Sequence, residues 1–321
     1  MNWSKLPMKY KEKGYISVVC YLQNDSKTIE PFIREVSAFF LESFESLQFV
    51  FVDDFSSDNT FDITSKLMED MKLSGSILRL SQKHGRERGV LAGLDKAVGD
   101  FIFDFDAPTI DFPLNLCTQS FEKIKSGKDI VVVHPKHPVD LFTQVYYYLF
   151  NKFSYLSEPI TTERMQVMTR RALNSILTIN ERVRNKKALL SLAGFPRERI
   201  SYTPTNNKYV DKRPFSEKVS SALESLVSYT FIGSRAPMLF SVIFFMISIL
   251  IGVWTTYNYL YAPNVAGIGW ASTMGFLAIS FSGLFFILAI LSEFLIKILR
   301  ESVNIPIYTI SQTFTSSHSN L

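Results

Sequence analysis

Residues 99–106 have the sequence Gly99-Asp100-Phe101-Ile102-Phe103-Asp104-Phe105-Asp106. This run predicts a short buried strand that ends in two carboxylates separated by one residue. Such carboxylates can offer hard oxygen ligands to Mg²⁺ or Mn²⁺, and the bound ion keeps open positions for substrate phosphates. A D-x-D triplet alone is weak evidence, because most acidic triplets are solvated loops. The prediction of a metal site at Asp104 and Asp106 therefore needs a second cluster to support it.

A second acidic cluster lies about fifty residues upstream. There an apolar strand, Phe49-Val50-Phe51-Val52, runs into the turn Asp53-Asp54-Phe55-Ser56-Ser57-Asp58-Asn59-Thr60. Between residues 16 and 133 the pattern predicts five strands that alternate with four helices: strands at 16–21, 48–52, 76–80, 101–105 and 129–133, and helices at 28–40, 59–71, 88–97 and 113–125. Regular alternation predicts an α/β fold with a mostly parallel sheet and helices on both faces. Both acidic clusters then fall at the carboxyl ends of strands, where such sheets bind ligands.

Composition excludes several other classes. The formal net charge of +4 over 321 residues is too small to suggest a nucleic-acid partner. The G-x-G-x-x-G fingerprint is absent from the sequence, which argues against a nicotinamide or flavin dehydrogenase. The two cysteines, Cys20 and Cys117, form no disulfide framework and fit a reducing compartment.

The C-terminal part of the chain contains a long uncharged stretch, from Pro237 to Ser292. Two apolar blocks within it, 239–254 and 274–291, each reach with their flanks the roughly 20 residues that span a bilayer. The loop between them is short and rich in interfacial aromatic residues. This pattern predicts a two-helix transmembrane hairpin. The alternative is a pair of buried helices of a soluble protein, which would normally show one charged face.

Basic residues flank both apolar blocks, and the connecting loop has none. The positive-inside rule then places both termini in the cytoplasm, and no signal peptide precedes the first strand. Residues 219–231 have the spacing of an amphipathic helix, which we expect at the membrane interface; a helix facing the core is the alternative. We therefore predict a multi-pass protein of the cytoplasmic (inner) membrane with four parts: a cytoplasmic catalytic domain at 1–213, an interfacial helix at 214–235, the hairpin at 236–299 and a cytoplasmic tail at 300–321. The polar residues 311–321 are expected to be disordered.

Several motifs occur together in a recognisable order. Ile16-Ser17-Val18-Val19 is followed by Asn24-Asp25, the acidic turn is similar to V-D-D-G-S-x-D-x-T, and the block 92–100 precedes the D-x-D triplet. Taken together, these motifs resemble family 2 glycosyltransferases of GT-A fold. The C-terminal half, with Met168-Thr169-Arg170-Arg171 and Ser292-Glu293-Phe294, resembles the polyprenyl-phosphate branch, typified by dolichol-phosphate mannose synthase and bactoprenol glucosyltransferase. Members with two C-terminal spans match best, and the resemblance covers about Tyr15 to Tyr308.

The resemblance implies roles for individual residues. It implies that a UDP- or GDP-linked sugar binds at Asn24, Asp25, Asp53, Asp54 and Asp104, and that Asp104 and Asp106 hold Mg²⁺ or Mn²⁺. It implies catalytic roles for Asp106, Asp111 and Arg170, with Asp111 standing in for a third acid of the family. One departure lies in the acidic turn, where Phe55 replaces the usual glycine.

The resemblance implies a lipid-phosphate acceptor, and the chemistry of such an acceptor has consequences for the site. A lipid phosphate is largely ionised at neutral pH, since its second pKa is about 6, so it needs little deprotonation to act as a nucleophile. The protein must instead bring two anions together, and direct attack on the anomeric carbon would invert its configuration. We expect a cation-rich stretch to face the acceptor phosphate, although each member alone could be solvated surface. Its members are Arg164, Arg170, Arg171, Arg182, Arg184, Lys186 and Lys187.

Three functions remain open on the sequence alone. The leading one is transfer of one sugar from a nucleotide sugar to polyprenyl (undecaprenyl or dolichyl) phosphate. The second is elongation of a glycan linked to a lipid diphosphate. The third is a degenerate glycosyltransferase that serves as a binding partner in a membrane complex. Relatives of this type also suggest a homo-oligomer assembled through the hairpins.

Overall fold

The structure is a computed structural model that describes residues 11–136, 141–156, 159–179, 186–204, 215–261, 269–302 and 306–317. The chain forms two compact units. The first comprises the described residues of 1–151, 156–217 and 306–321, and the second those of 152–155 and 218–305.

The first unit is built on one eight-stranded sheet with the order β7-β5-β6-β4-β1-β2-β3-β8. Four of its seven strand pairings are parallel, so the predicted α/β fold with a mostly parallel sheet is confirmed. The strands are β1 Glu12–Leu22, β2 Phe44–Asp53, β3 Gly75–Leu80, β4 Phe101–Phe105, β5 Ile130–Pro135, β6 Met165–Thr169, β7 Arg197–Tyr202 and β8 Ile310–Ser316.

Helices cover both faces of this sheet. One face buries the apolar sides of α1 Ile29–Ser43, α2 Thr60–Asp70 and α4 Asn115–Lys125, and the other buries α3 Arg86–Lys96, α6 Arg170–Thr178 and α7 Lys186–Leu192. On the first face, Phe40 packs edge-on against Phe103 with ring centroids 4.9 Å apart. On the second, Gly93 lets α3 approach the sheet, since a Cβ there would lie 2.7 Å from Val19.

The predicted strands and helices between residues 16 and 133 are all present, with ends shifted by a few residues. The prediction that residues 311–321 are disordered was wrong for residues 311–317; residues 318–321 lie outside the described residues. Residues 310–316 form β8, which pairs antiparallel with β3 at the edge of the sheet. The strand was missed because an edge strand buries little; only Ser316 of β8 is fully buried. Its alternating β-branched residues, such as Thr313 and Thr315, suit a half-solvated strand.

The remaining helices are α5 Leu141–Phe153, α8 Phe215–Tyr229, α9 Phe231–Tyr261 and α10 Gly269–Ser302. In the second unit, α9 packs against α10, with the rings of Phe240 and Phe286 centred 4.8 Å apart. Among the described helices, one segment, Gly275–Ser292 of α10, is long and apolar enough to cross a membrane. The apolar part of α9, Val242–Trp254, is shorter. The two-span hairpin therefore stays a prediction.

Strand direction decides which side chains meet at each edge of the sheet. Strands β1, β2, β3 and β4 are parallel, so the residues after Leu22, Asp53, Leu80 and Phe105 lie at one edge, which we call the carboxyl edge. Strand β6 runs antiparallel to β4, and Met165 pairs with Phe105 while Thr169 pairs with Phe101. The start of β6 therefore lies at the carboxyl edge, and its end lies at the opposite edge.

Candidate functional site

Two loops at the carboxyl edge interlock, the one after β1 and the acidic turn after β2. The amide of Asn24 donates to Ser56 Oγ at 2.9 Å, and Ser57 N donates back to Asn24 Oδ1 at 2.9 Å. The amide of Asp25 donates to Thr60 Oγ1 at 2.8 Å. Asn24 and Asp25, both predicted to contact the nucleotide sugar, thus lie beside the acidic turn and fix its shape.

The first two acids of the turn are buried. Asp54 accepts hydrogen bonds from Tyr21 Oη at 2.7 Å, His84 N at 2.7 Å and Gly85 N at 2.9 Å. Burial and the charge of Asp54 raise the pKa of Tyr21, so its hydroxyl stays protonated and donates. Asp53 lies 3.5 Å from Arg79 Nε, and burial raises its pKa. Asp54 therefore ties together the ends of β1, β2 and β3.

Asp104, the first acid of the D-x-D triplet, is buried beside a lysine. Its Oδ2 atom accepts a hydrogen bond from Gln166 Nε2 at 2.8 Å and forms an ion pair with Lys186 Nζ. Within the described residues, its Oδ1 atom is buried and has no hydrogen-bond partner. Burial alone would lower the pKa of Lys186, but the carboxylates of Asp104, Asp106 and Glu163 raise it above its ordinary value. Lys186 is therefore a permanent positive charge at this site.

Asp106, the second acid of the triplet, lies among several cations. Its Oδ2 atom is 3.2 Å from Arg86 and 3.8 Å from Arg164, and its side chain keeps 20% of its surface exposed. Burial would raise the pKa of Asp106, but four cations together lower it: Arg86, Lys187, Lys186 and Arg164. Asp106 is therefore ionised at neutral pH and is accessible to a ligand.

Asp111 joins the same cluster through Arg164. Arg164 Nε lies 3.3 Å from Asp111 Oδ2, and Tyr202 Oη donates to Asp111 Oδ1 at 2.6 Å. Burial and this hydrogen bond raise the pKa of Tyr202. Arg164 thus bridges Asp106 and Asp111, two residues that the sequence predicted in one site.

Lys187 completes the set of cations. Its ammonium donates to Tyr147 Oη at 3.0 Å and to the carbonyl of Thr161 at 2.8 Å. Burial would lower its pKa, but Tyr147, Glu163 and Asp106 raise it. Four cations therefore surround the D-x-D carboxylates: Arg86, Arg164, Lys186 and Lys187. These positive charges favour the binding of an anion, and they disfavour a metal cation that binds without one.

Other predicted residues are not brought to this cluster. Arg170 follows the end of β6, where its guanidinium donates to the carbonyl of Gly99, and Arg171 pairs with Asp129 at 2.6 Å. The five residues of β4 separate them from Asp106 by roughly 15 Å. The expectations that Arg170 and Arg171 face the acceptor phosphate and that Arg170 is catalytic are therefore corrected, because β6 runs antiparallel to β4. Arg182 and Arg184 lie outside the described residues.

Sequence reasoning missed residues that complete the site. Arg86 was not singled out, although it begins α3 after the loop that follows β3, and the carboxyl end of a parallel strand is where ligands bind. Gln166 and Tyr202 were also missed, because each reaches its carboxylate from another strand. Nothing in the local sequence of β6 or β7 marks either residue as a partner of an acid.

The D-x-D carboxylates can be tested as ligands for a divalent ion. Asp104 Oδ1 is a buried oxygen without a hydrogen-bond partner among the described residues, and Asp106 is partly exposed. The described residues contain no group of three or more His, Cys, Asp or Glu side chains placed for a metal ion. Magnesium is, however, commonly held by one or two carboxylates together with substrate phosphates. The residues therefore fit an ion that binds together with a diphosphate.

Comparison with known proteins gives a family match. The model of Glycosyl transferase family 2 matches residues 16–179, which is about half of the chain. The match includes the acidic turn, the D-x-D triplet and Arg164. It therefore covers most of the cluster described above.

Two curated relatives extend over nearly the whole chain. The uncharacterized glycosyltransferase YkcC of Bacillus subtilis is 22% identical over 311 residues, or 93% of this chain and 94% of that protein. The SfII prophage-derived bactoprenol glucosyl transferase of Shigella flexneri is 26% identical over 308 residues, or 93% of this chain and 98% of that protein. Among solved structures, glucosyl-3-phosphoglycerate synthase from Mycobacterium tuberculosis, in complex with Mn²⁺, UDP-glucose and phosphoglyceric acid, has a TM-score of 0.48 and 15% identity. It covers 67% of this chain and 78% of that chain.

Proposed function

The chain belongs to glycosyltransferase family 2, and we propose that it transfers one sugar from a nucleotide-diphosphate sugar to a polyprenyl phosphate at the cytoplasmic face of a membrane. The observation that supports this most is the cluster of four cations around Asp104 and Asp106. The relative from Shigella flexneri, named as a bactoprenol glucosyl transferase, aligns along 98% of its length and 93% of this chain. That alignment supports the lipid acceptor.

The cations reduce the repulsion between the two anionic substrates of this reaction. A sugar nucleotide has a good leaving group, and a lipid phosphate is already a nucleophile, but both are anions that repel each other. Arg86 and Arg164 both lie near Asp106 Oδ2, Lys186 is buried beside Asp104, and Lys187 is partly buried. Charge-assisted contacts from such groups hold phosphate oxygens and stabilise charge that develops on the leaving diphosphate. The cations can thus hold both phosphate groups close together. The ionised lipid phosphate needs no general base.

A divalent ion fits this proposal as a second source of positive charge. When bound to the diphosphate, Mg²⁺ or Mn²⁺ neutralises its developing negative charge. Asp106 and Asp104 Oδ1 are the oxygens of this chain that would hold it. Because Lys186 and Arg86 already pair with these carboxylates, we expect the ion to bind with the nucleotide rather than before it.

The return of β8 to the sheet supports a hairpin rather than a single span. Strand β8 pairs with β3, so residues 306–317 lie in the same unit as strands β1 to β7. A chain that leaves this unit and returns to it must cross a membrane an even number of times. If α10 crosses, α9 must supply the second crossing. With 31 residues, α9 is roughly 46 Å long at about 1.5 Å per residue, enough for a hydrocarbon core of about 30 Å.

Transfer can be tested with the full-length protein in lipid nanodiscs and radiolabelled UDP- and GDP-sugars. Polyprenyl phosphate, a polyprenyl diphosphate-linked saccharide and no acceptor form the three arms. We expect product only with polyprenyl phosphate. Product only with the diphosphate-linked saccharide would identify an elongation enzyme. Nucleotide-sugar binding without product in any arm would indicate a degenerate enzyme.

Topology can be tested with single cysteines in an otherwise cysteine-free chain. A cysteine at Asn264, between α9 and α10 and outside the described residues, should react with an impermeant thiol reagent added to intact cells. A cysteine at Ser317, just after β8, should react only after the cells are opened. Labelling of Ser317→Cys from outside would contradict the cytoplasmic location of the sheet.

A further inference from the structure

One loop links the two acidic clusters of the carboxyl edge. It comprises residues 81–86, between β3 and α3, and we call it the His84 loop. On one side the amides of His84 and Gly85 bind Asp54, at 2.7 and 2.9 Å. At its end Arg86 lies 3.2 Å from Asp106. The position of this loop therefore sets the geometry of both the acidic turn and the D-x-D triplet.

The other side of the His84 loop is held by the segment that follows the last apolar helix. Ser81 N donates to the carbonyl of Thr309 at 2.9 Å, and Thr309 N donates to His84 Nε2 at 3.2 Å. The Thr309 hydroxyl lies 3.1 Å from the same His84 nitrogen and also contacts the Ser81 hydroxyl. Because an amide can only donate, Nε2 of His84 accepts the hydrogen bond from Thr309 N. Thr309 thus contacts the loop through its amide, carbonyl and hydroxyl.

The neighbouring residue fixes this segment on the protein. Tyr308 Oη donates to Asp95 Oδ2 of α3 at 2.7 Å. Its ring packs against a small apolar cluster formed by Val52, Leu78, Leu80 and Ala92. Tyr308 is therefore anchored to β2, β3 and α3 together, and it presents Thr309 to the loop at a fixed position.

We propose that Thr309 is a positioning residue for the nucleotide-sugar site, acting through the His84 loop on Asp54 and Arg86. This inference rests on the proposed function. Its consequence is that the donor site of the catalytic unit is complete only when the chain has passed through α9 and α10 and returned. A plain edge strand would stabilise the sheet without acting on this loop, and the experiment separates the two roles.

The test uses three variants of the full-length protein. Thr309→Val removes the hydroxyl contacts but keeps the backbone and the shape of the side chain. Thr309→Ser keeps the hydroxyl and should rescue the effect. Thr313→Val is the matched control, since Thr313 is exposed in β8, four residues after Thr309, and pairs with Leu78, away from the loop. Hydrogen exchange of the His84 and Gly85 amides measures loop order directly and needs no activity.

We expect both amides to exchange roughly three- to tenfold faster in Thr309→Val, the effect of about one net hydrogen bond. The wild-type rate should return in Thr309→Ser and persist in Thr313→Val. The KM for the sugar nucleotide should rise by a similar factor in Thr309→Val, while the KM for the lipid acceptor is unchanged. His84→Ala should produce the same change, and the double variant should add little to it, because both remove one contact.

The possible results distinguish this inference from the proposed function. Unchanged amide exchange in Thr309→Val, or an equal change in Thr313→Val, would overturn the positioning role. Faster exchange in a protein that transfers no sugar to any acceptor would leave the positioning role intact and refute the proposed function. Faster exchange with an unchanged KM for the sugar nucleotide would show that the loop does not act on the donor site, which also overturns the inference.

Discussion

The two edges of the sheet carry similar residues in different surroundings. At the carboxyl edge Asp106, just after β4, lies near Arg86 and Arg164, and at the other edge Asp129, just before β5, pairs with Arg171. The side chain of Arg164 is 5% exposed, whereas that of Arg171 is 71% exposed. An acid beside an arginine is therefore not the distinguishing feature of the site. The burial of Arg164 and the number of cations around one carboxylate distinguish it.

This difference has an energetic basis. A solvent-exposed ion pair contributes about 0–1 kcal/mol, because water and salt screen it. Charges held away from water interact more strongly, and removing one leaves its partner uncompensated. At the carboxyl edge four cations gather around the D-x-D carboxylates, while at the other edge Arg170 and Arg171 are engaged by a carbonyl and a carboxylate.

The largest expected effect follows from removing the acid at the carboxyl edge, with removal of the acid at the other edge as the control. Asp106→Asn should lower transfer by about a thousandfold or more, as removal of a preorganised group at a reacting centre does. Asp129→Asn is the matched control and should leave the kcat of the folded protein within about twofold, because it lies far from the chemistry. Steady-state kinetics on both variants, with circular dichroism to verify folding, is the measurement. Near-normal turnover of Asp106→Asn would show that this carboxylate of the D-x-D triplet is not required for transfer.

A smaller effect is expected from removing an arginine at each edge. Arg86→Gln should reduce kcat/KM by roughly ten- to a hundredfold, since a charge-assisted contact contributes about 1.5–3 kcal/mol. Arg171→Gln should have little effect, because its guanidinium is largely exposed. Kinetic series over both substrates would show which phosphate Arg86 contacts. An equal loss in both variants would mean that the acceptor site extends to the other end of β4.

The same comparison shows what the sequence can and cannot predict. Alternating apolar segments are local, so the strands, the helices and the location of Asp54 and Asp106 at strand ends were predictable. The direction of β6 is a tertiary property, and it places Arg164 and Arg170 at opposite ends although they lie six residues apart. For the same reason a single cation-rich stretch in the sequence separates into Lys186 and Lys187 inside the site and Arg171 outside it. Strand β8 was missed because polar edge strands show little burial.

A pH titration gives a third test of the carboxyl edge. The folded-state pKa of Asp106 is lowered by the surrounding cations, so its ionised form stabilises the protein above the unfolded-state pKa of about 3.9. That contribution is lost as the pH falls through the lower folded-state value. The free energy of unfolding of the wild type should therefore exceed that of Asp106→Asn at pH 7, and the difference should shrink below about pH 4. Urea titrations in detergent at several pH values measure this difference in the free energy of unfolding. A difference that does not change with pH would contradict the lowered pKa of Asp106.

The smallest effects concern backbone strain at the two edges of the sheet. Phe55 in the acidic turn has φ +56°, and Lys72 in the turn before β3 has φ +51°. A left-handed conformation costs a non-glycine residue about 1–2 kcal/mol, and glycine loses about 0.5–1 kcal/mol more entropy on folding. Replacement of either residue by glycine should therefore stabilise the protein by up to about 1 kcal/mol.

The two glycine variants should differ in function. The ring of Phe55 is 56% exposed beside Asp54, so nothing in the fold requires it, whereas Lys72 follows helix α2 at a position where glycine commonly ends a helix. Strain retained at a functional site is expected to serve binding. Phe55→Gly should therefore raise the KM for the sugar nucleotide a few-fold while stabilising the protein, and Lys72→Gly should stabilise it without a change in KM. A rise in KM for both, or for neither, would mean that the strain at Phe55 has no link to the donor site.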